Sequence, residues 1–321
     1  MTLAQLGRTA AKVGDYEKAE GYYKKTLAIN HSAFETALDL GNLYTRQRRH
    51  KEAIVIYRYA LAGGFERPDL LNNLGCALKE EDLPGEAEAY LRRAILLWPQ
   101  FVEAMNNLGV LLREQGRLDE ALSVYERALA LRPDAPVIID NLGSVCMERG
   151  DYGKAEAHFR RALSLDPSFH QAGFDLAYVL LLNGNYRDGF EKYELRLERE
   201  GAAYLRMGTA PRLAPGRKGV TVLVRAEQGL GDTIHFARFL APLKEKISGK
   251  VVLECQPQLF DLLRTADGAD EVVPQRADHA PANVEHDAEI PLLSLPYFLG
   301  LTPDTIPAPV PYIHVDGDIT A

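Results

Sequence analysis

Apolar positions return at a fixed step along the first two-thirds of the chain. Leu6, Leu40, Leu74, Leu108, Leu142 and Leu176 are spaced 34 residues apart. Small residues keep the same step, as Gly7, Gly41, Gly75, Gly109 and Gly143, and as Ala19, Ala53, Ala87, Ala121 and Ala155. An aromatic position follows it too, through Tyr23, Tyr57, Tyr125, Phe159 and Tyr193, with Leu91 as the exception. In the unit from Pro136 to Phe169 the pattern predicts a helix over 137–149, a turn at Gly150-Asp151 and a second helix over 152–165. Asp166-Pro167 ends that helix, because proline cannot continue one. Pro99, Pro133 and Pro167 mark unit boundaries, and Pro84 falls in the first turn of a second helix, where a missing N–H costs nothing. The leucines and rings are expected in the core. The glycines and alanines are expected where crossing helices come too close for a side chain larger than methyl.

Six such units are expected, at about 1–33, 34–67, 68–101, 102–135, 136–169 and 170–203. A strict 34-residue helix-pair period resembles the tetratricopeptide (TPR) repeat, which stacks into an α-solenoid. The sixth unit departs from its siblings, with Ala177 for the glycine, Gly189 for the alanine, and Arg196 where the others mostly have alanine. A terminal unit meets a different neighbour, which accounts for such departures. The sequence shows no polar capping helix before the first unit, so either a ragged N-terminal end or an earlier natural start is expected.

The resemblance implies that first helices line the concave face. Two residues before each repeat glycine the series reads Gln5, Asp39, Asn73, Asn107, Asn141 and Asp175. Four residues earlier, on the same helical face, it reads Met1, Glu35, Asp69, Glu103, Val137 and Gln171. Amides both donate to and accept from a peptide backbone. Such asparagine ladders resemble those of the eukaryotic O-linked N-acetylglucosamine transferase, which grip extended peptides. A peptide or protein segment is therefore one expected partner, and a merely solvated polar face is the alternative. A clamp for a carboxyl terminus is disfavoured, since Glu35, Asp69 and Glu103 would repel it. Lys79 and Arg113 do not rebuild that clamp.

After Ala203 the pattern changes. Residues 204–219, with Pro211, Pro215 and three glycines, read as a linker. Strands are predicted at 220–224, 250–255, 271–273 and 288–293, and helices at 233–247 and 258–265. Alternation of this kind argues for a small α/β, parallel, Rossmann-like domain over 220–315, followed by a tail at 316–321. The junction Gly229-Leu-Gly231-Asp232 lets the backbone turn sharply before a helix N-terminus. Asp232 fits two roles, helix N-cap or functional carboxylate. Glu227, His235 and Arg225 lie beside it, where strand ends form ligand crevices. A dinucleotide site is disfavoured, because the third glycine of that fingerprint falls at Ile234. Ser294 lacks a hydrolase context.

The stretch Ala226-Glu-Gln-Gly-Leu-Gly-Asp-Thr-Ile-His-Phe-Ala-Arg-Phe239, with Val251-Val-Leu-Glu254 and Pro291-Leu-Leu-Ser-Leu-Pro296, resembles bacterial TPR-linked glycosyltransferases. These are related to the lipopolysaccharide heptosyltransferases, which have the GT-B fold. The resemblance implies that 220–315 is the acceptor-side half of that fold, with Asp232 as catalytic base and Gly229, Gly231, Glu227 and His235 around the ligand. A nucleotide-sugar is implied only if a second Rossmann domain is supplied. The chain stops at Ala321, so on its own it is expected to have no turnover. A non-catalytic, peptide-binding TPR scaffold is the other class.

Composition changes this picture little. Net charge is −8, with 46% hydrophobic and 26% charged residues. No basic stripe supports nucleic-acid binding; the cluster Arg46-Gln-Arg48-Arg49-His50-Lys51 falls at a helix turn and reads as solvated. Cys76, Cys146 and Cys255 have no metal or redox spacing. No segment is long and apolar enough for a membrane span, and there is no signal region, so a cytoplasmic location is expected by default. His279 and His286, with Asp278 and Asp287, match no metal-ligand pattern. Neither a metal nor a cofactor is expected.

Overall fold

The computed structural model describes residues 1–198, 208, 210–227, 229–276, 282–307 and 310–314. They group into two compact units, Met1–Asp151 and Tyr152–Ala321. The expected linker start at 204 and the end of the sixth helix pair lie outside the described residues, as do Asp278, His279 and the tail.

The first unit is an array of antiparallel helix pairs. Its helices are α1 (Leu3–Lys12), α2 (Tyr16–Ile29), α3 (Phe34–Arg46), α4 (His50–Ala62), α5 (Pro68–Glu80), α6 (Pro84–Leu97), α7 (Val102–Glu114), α8 (Leu118–Leu131) and α9 (Pro136–Glu148). α1, α3, α5 and α7 each pack on the second helix of their own pair, and successive first helices from α1 to α9 touch one another. The turn between paired helices needs a left-handed residue. Gly14 and Gly116 supply it, while Arg48 and Asp82 adopt the same positive φ in repeats two and three.

The ring of each second helix lies directly on the repeat glycine. A methyl at Gly41 would sit 2.2 Å from the Tyr57 ring, and one at Gly109 would sit 2.5 Å from the Tyr125 ring. Repeat three has Leu91 in the slot, and a methyl at Gly75 would still come within 2.8 Å of it. Even a methyl, the size expected to fit, is too large at these glycines. Tyr57 and Tyr125 are fully buried, as expected of core residues.

The second unit begins with α10 (Tyr152–Leu165), α11 (His170–Leu182) and α12 (Tyr186–Tyr193), which runs on into a 3-10 turn over Glu194–Glu198. Four short strands follow: β1 (Thr221–Arg225), β2 (Lys250–Cys255), β3 (Glu271–Pro274) and β4 (Ala288–Pro291). They form one parallel sheet in the order β3-β2-β1-β4, with Val222 opposite both Val251 and Ala288. Parallel neighbours require crossovers, and α13 (Leu230–Phe236) and α14 (Leu240–Ile247) provide the first one. The short α15 (Phe260–Leu263) leads to β3, and α16 (Leu295–Leu299) follows β4. One continuous helix was expected over 233–247. Pro242 cannot donate to a preceding carbonyl, and the chain instead takes a 3-10 turn at Ala237–Phe239 between the two helices. Ahead of β1, the described part of 208–213 runs along β4: Leu213 donates to the Glu289 carbonyl and Gly208 to its carboxylate.

The chain is thus a mainly helical repeat solenoid with a small parallel sheet. No helix among the described residues is long and apolar enough to cross a membrane.

Candidate binding groove

The expected groove positions sit on the first helices of the first unit. Asn73 on α5, Asn107 on α7 and Asn141 on α9 are half-buried, but their amides do not simply face solvent. Asn73 donates to Oδ1 of Asn42 at 2.8 Å, Asn107 to Asn72 at 2.8 Å, and Asn141 to Asn106 at 2.9 Å. The ladder therefore ties each repeat to the one before it. Each of these amides uses one N–H in this way, and an amide nitrogen carries two; Asn73 also bonds to Tyr57. The doublets Asn72-Asn73 and Asn106-Asn107, 34 residues apart, were the overlooked signal of this pairing.

The acidic row is also more neutral than the sequence suggested. Arg67 donates to Glu35 at 2.7 Å and to Asp69 at 2.6 Å, and Arg132 donates to Glu103 at 3.0 Å. Asp39 accepts from Arg8 at 2.6 Å. Asp175, on α11 in the second unit, accepts from Gln171 on its own helix at 2.9 Å.

Between α7 and α9 the surface opens into a cleft of about 490 Å³. Its floor is apolar, from Val102, Val137 and Ile138, and the Asn106 and Asn107 amides flank it. The Glu103–Arg132 pair and Asp134 form its polar rim. Val137 is 52% exposed. Asp134 has no ion-pair partner among the described residues, so the unbalanced charge of the cleft is negative. Such a site can hold an apolar side chain, an extended backbone and a neighbouring cation.

The expected site in the second unit is arranged differently. The N-cap of α13 is Gly229, and Asp232 lies inside the first helical turn. Capping is therefore not the role of Asp232. Its side chain is exposed, as are Gly231 and His235. The His235 ring meets Phe236 edge-on at 5.8 Å. Glu227 turns inward instead, and its side chain is only 3% exposed. Nε of Arg196 donates to it at 2.8 Å. The same guanidinium donates to Glu194 at 2.7 Å and to Ser294 at 2.9 Å. Arg212 also donates to Glu194. Beside this cluster, Arg225 donates to the fully buried Glu254 at the ends of β1 and β2. The odd residue of the sixth repeat, Arg196, thus ties the 3-10 turn after α12 to the loop after β1.

Burial pushes the Glu227 carboxyl from its ordinary 4.5 up to about 7, and the pull of Arg196 only partly offsets it. Between those values the folded chain holds a proton that the unfolded chain releases. The stabilisation is complete below 4.5 and is lost as pH rises through about 7. Melting temperature should therefore fall from pH 5 to pH 8, and Glu227→Gln should flatten that slope. Parallel slopes for parent and variant in thermal melts would rule this out.

Burial likewise raises the Cys76 and Cys255 thiols to about 11, which leaves them protonated and unreactive at neutral pH. Among the described residues, no group of three or more His, Cys, Asp and Glu is placed to hold a metal ion.

Two family models match the sequence. The tetratricopeptide repeat model matches residues 5–68 and 72–136. A model of the middle TPR-like domain of cilia and flagella-associated protein 70 matches residues 112–206. No curated protein matches the chain. Among solved structures, the type IV pilus biogenesis factor PilW is 23% identical, with a TM-score of 0.56 over 61% of this chain and 90% of that one. The pilF protein of Pseudomonas aeruginosa is 23% identical, with a TM-score of 0.54 over 63% and 92%. YrrB, described as a TPR protein with an unusual peptide-binding site, is 29% identical, with a TM-score of 0.47 over 53% and 88%. The likeness to PilW and to pilF is one of fold.

Proposed function

Because this chain is a tetratricopeptide-repeat protein, we propose that it is a scaffold whose first unit binds an extended peptide or protein segment in the groove of its first helices. The cleft between α7 and α9 carries this reading. It combines an apolar floor with asparagine amides and an unbalanced carboxylate. Asn73, Asn107 and Asn141 would each present an N–H to the peptide backbone, with Asp39 on α3 of the same unit; Asp175 belongs to the second unit and is no part of this groove. A segment with an apolar side chain followed by lysine or arginine fits best, with the cation beside Asp134.

The test is a titration with two acetylated, amidated pentapeptides, Gly-Val-Lys-Lys-Gly and Gly-Val-Asp-Asp-Gly. The lysine peptide should bind more tightly, and Asp134→Lys should reverse the order. Replacing Asn107 by Ala should cost about 1 kcal/mol, roughly fivefold in affinity. A preference for the aspartate peptide in the parent would sink the reading. So would unchanged affinity when Asn73, Asn107 and Asn141 are all replaced by Ala in a chain that still folds.

A second reading makes the second unit the acceptor-side half of a glycosyltransferase. What favours it is the sheet order β3-β2-β1-β4, which is that of a doubly wound half, together with an exposed carboxylate just past the end of β1. Asp232 would then take the proton of an acceptor hydroxyl, with Gly229 and Gly231 allowing close approach and His235 and Glu227 nearby. A nucleotide-sugar would enter only with a donor-binding domain. In such a two-domain enzyme, Asp232→Asn should cut turnover by about a hundredfold. Turnover indifferent to that change would remove Asp232 from the chemistry.

A further inference from the structure

The sequence of repeat three breaks the pattern of its siblings at the end of α6, where it reads Leu96-Leu97-Trp98-Pro99. The positions of Leu96 and Trp98 are Ala28 and Asn30 in repeat one, Ala62 and Gly64 in repeat two, Ala130 and Arg132 in repeat four, and Ser164 and Asp166 in repeat five. The helix pair therefore does not need large apolar groups there. Leu96 is nevertheless 78% exposed and Trp98 48% exposed. One face of the Trp98 indole stacks on Phe101 at 4.8 Å.

Beside this patch lies a cleft of about 300 Å³ between α6 and α8, floored by Ile95, Met105 and Leu108. Its two cations differ. Arg92 is neutralised by Glu88 at 2.9 Å and Glu120 at 3.0 Å. Arg127 has no carboxylate partner among the described residues, and its helical neighbours three and four positions away are Ser123, Val124, Ala130 and Leu131. The corresponding arginine of repeat three, Arg93, does have a partner in Glu66. An exposed apolar patch beside an apolar-lined cleft with one unneutralised cation has the chemistry of a docking site.

We propose that this outer cleft is a second binding site, separate from the groove, for a partner-protein segment that carries a bulky apolar side chain followed within a few residues by a carboxylate. The apolar side chain enters the cleft against Leu108 and Leu96. The carboxylate pairs with Arg127. Charge complementarity sets this occupant apart from that of the groove, whose unbalanced charge is negative. The scaffold would hold a basic segment on one face and an acidic one on the other.

Trp98 is the one tryptophan of the chain, so its fluorescence reports on this patch alone. The full chain is titrated with acetylated, amidated Gly-Leu-Phe-Asp-Asp and with Gly-Leu-Phe-Lys-Lys. The aspartate probe should shift the emission to the blue and saturate below about 1 mM. The lysine probe should bind at least about tenfold more weakly, and Arg127→Glu should reverse that order. Leu96→Ser should weaken both probes, and Asn107→Ala should leave both unchanged. The proposal is overturned by no saturable shift with either probe, by equal affinities, or by an Arg127→Glu chain that behaves as the parent. It is also overturned if Asn107→Ala removes binding, which moves the probe to the groove. Emission that depends on protein concentration without any probe overturns it too, since a second copy would then cover the patch. The groove titration uses other peptides and its own charge reversal at Asp134, so the two readings fail separately.

Discussion

Replacing Arg196 by Met should cost the folded chain about 3–5 kcal/mol at pH 7.5. Arg196 is 3% exposed and serves Glu227, Glu194 and Ser294 together. Methionine keeps much of the volume but leaves a buried carboxyl without its cation. A carboxylate stranded in a poorly solvated site is the expensive outcome; losing both partners is much cheaper. The double change Arg196→Met with Glu227→Leu should therefore recover most of the loss. Because burial already holds the Glu227 carboxyl up near 7, the single change should cost less at pH 5, where that group carries its proton. Urea unfolding of the three chains at both pH values checks all of this. A single variant that unfolds at the parent's midpoint would show that the cluster does not hold the turn after α12 to the loop after β1.

Gly41→Val should cost about 3 kcal/mol, at the upper end of what overpacking a core usually does. A first added carbon would already lie 2.2 Å from the Tyr57 ring. The ring has nowhere to go, since it is fully buried and its hydroxyl donates to Asn42 at 2.8 Å. The helices α3 and α4 must separate instead, which loosens the array on which the groove is built. Shortening the ring should relieve part of the strain. Tyr57→Leu in the Gly41→Val background should thus show a favourable coupling in a double-mutant cycle, following the leucine that repeat three already carries at Leu91. A midpoint of unfolding for Gly41→Val equal to the parent's would refute the contact, and a purely additive cycle would refute the ring as its cause.

Much of the architecture was legible because its signals are local. A period of 34 with prolines and glycines at fixed offsets sets where each helix begins, turns and stops, and the array follows from stacking like on like. The four strands were legible for the same reason, as short apolar runs between turn formers. Side-chain chemistry was less so. The asparagines stood out by position, yet their partners Asn42, Asn72 and Asn106 belong to the preceding repeat. The acidic row was visible, but Arg67 and Arg132, which neutralise it, flank helices as the N-cap of α5 and the C-cap of α8 rather than lying on that helical face. Asp232 resembled a cap until the backbone placed Gly229 there.

The sequence alone thus determined the repeat, its helix pairs and the polarity of the face that the first helices share. Tertiary structure decided which of those polar groups remain available. It turned Glu227 inward to Arg196, placed Asp134 beside an apolar floor, and left Arg127 without a partner among the described residues. The physical reason is range. Helix propensity, capping and turn geometry act within a few residues, whereas ion pairs and hydrogen bonds such as Arg196 with Ser294 join groups 98 residues apart, and no local pattern encodes them.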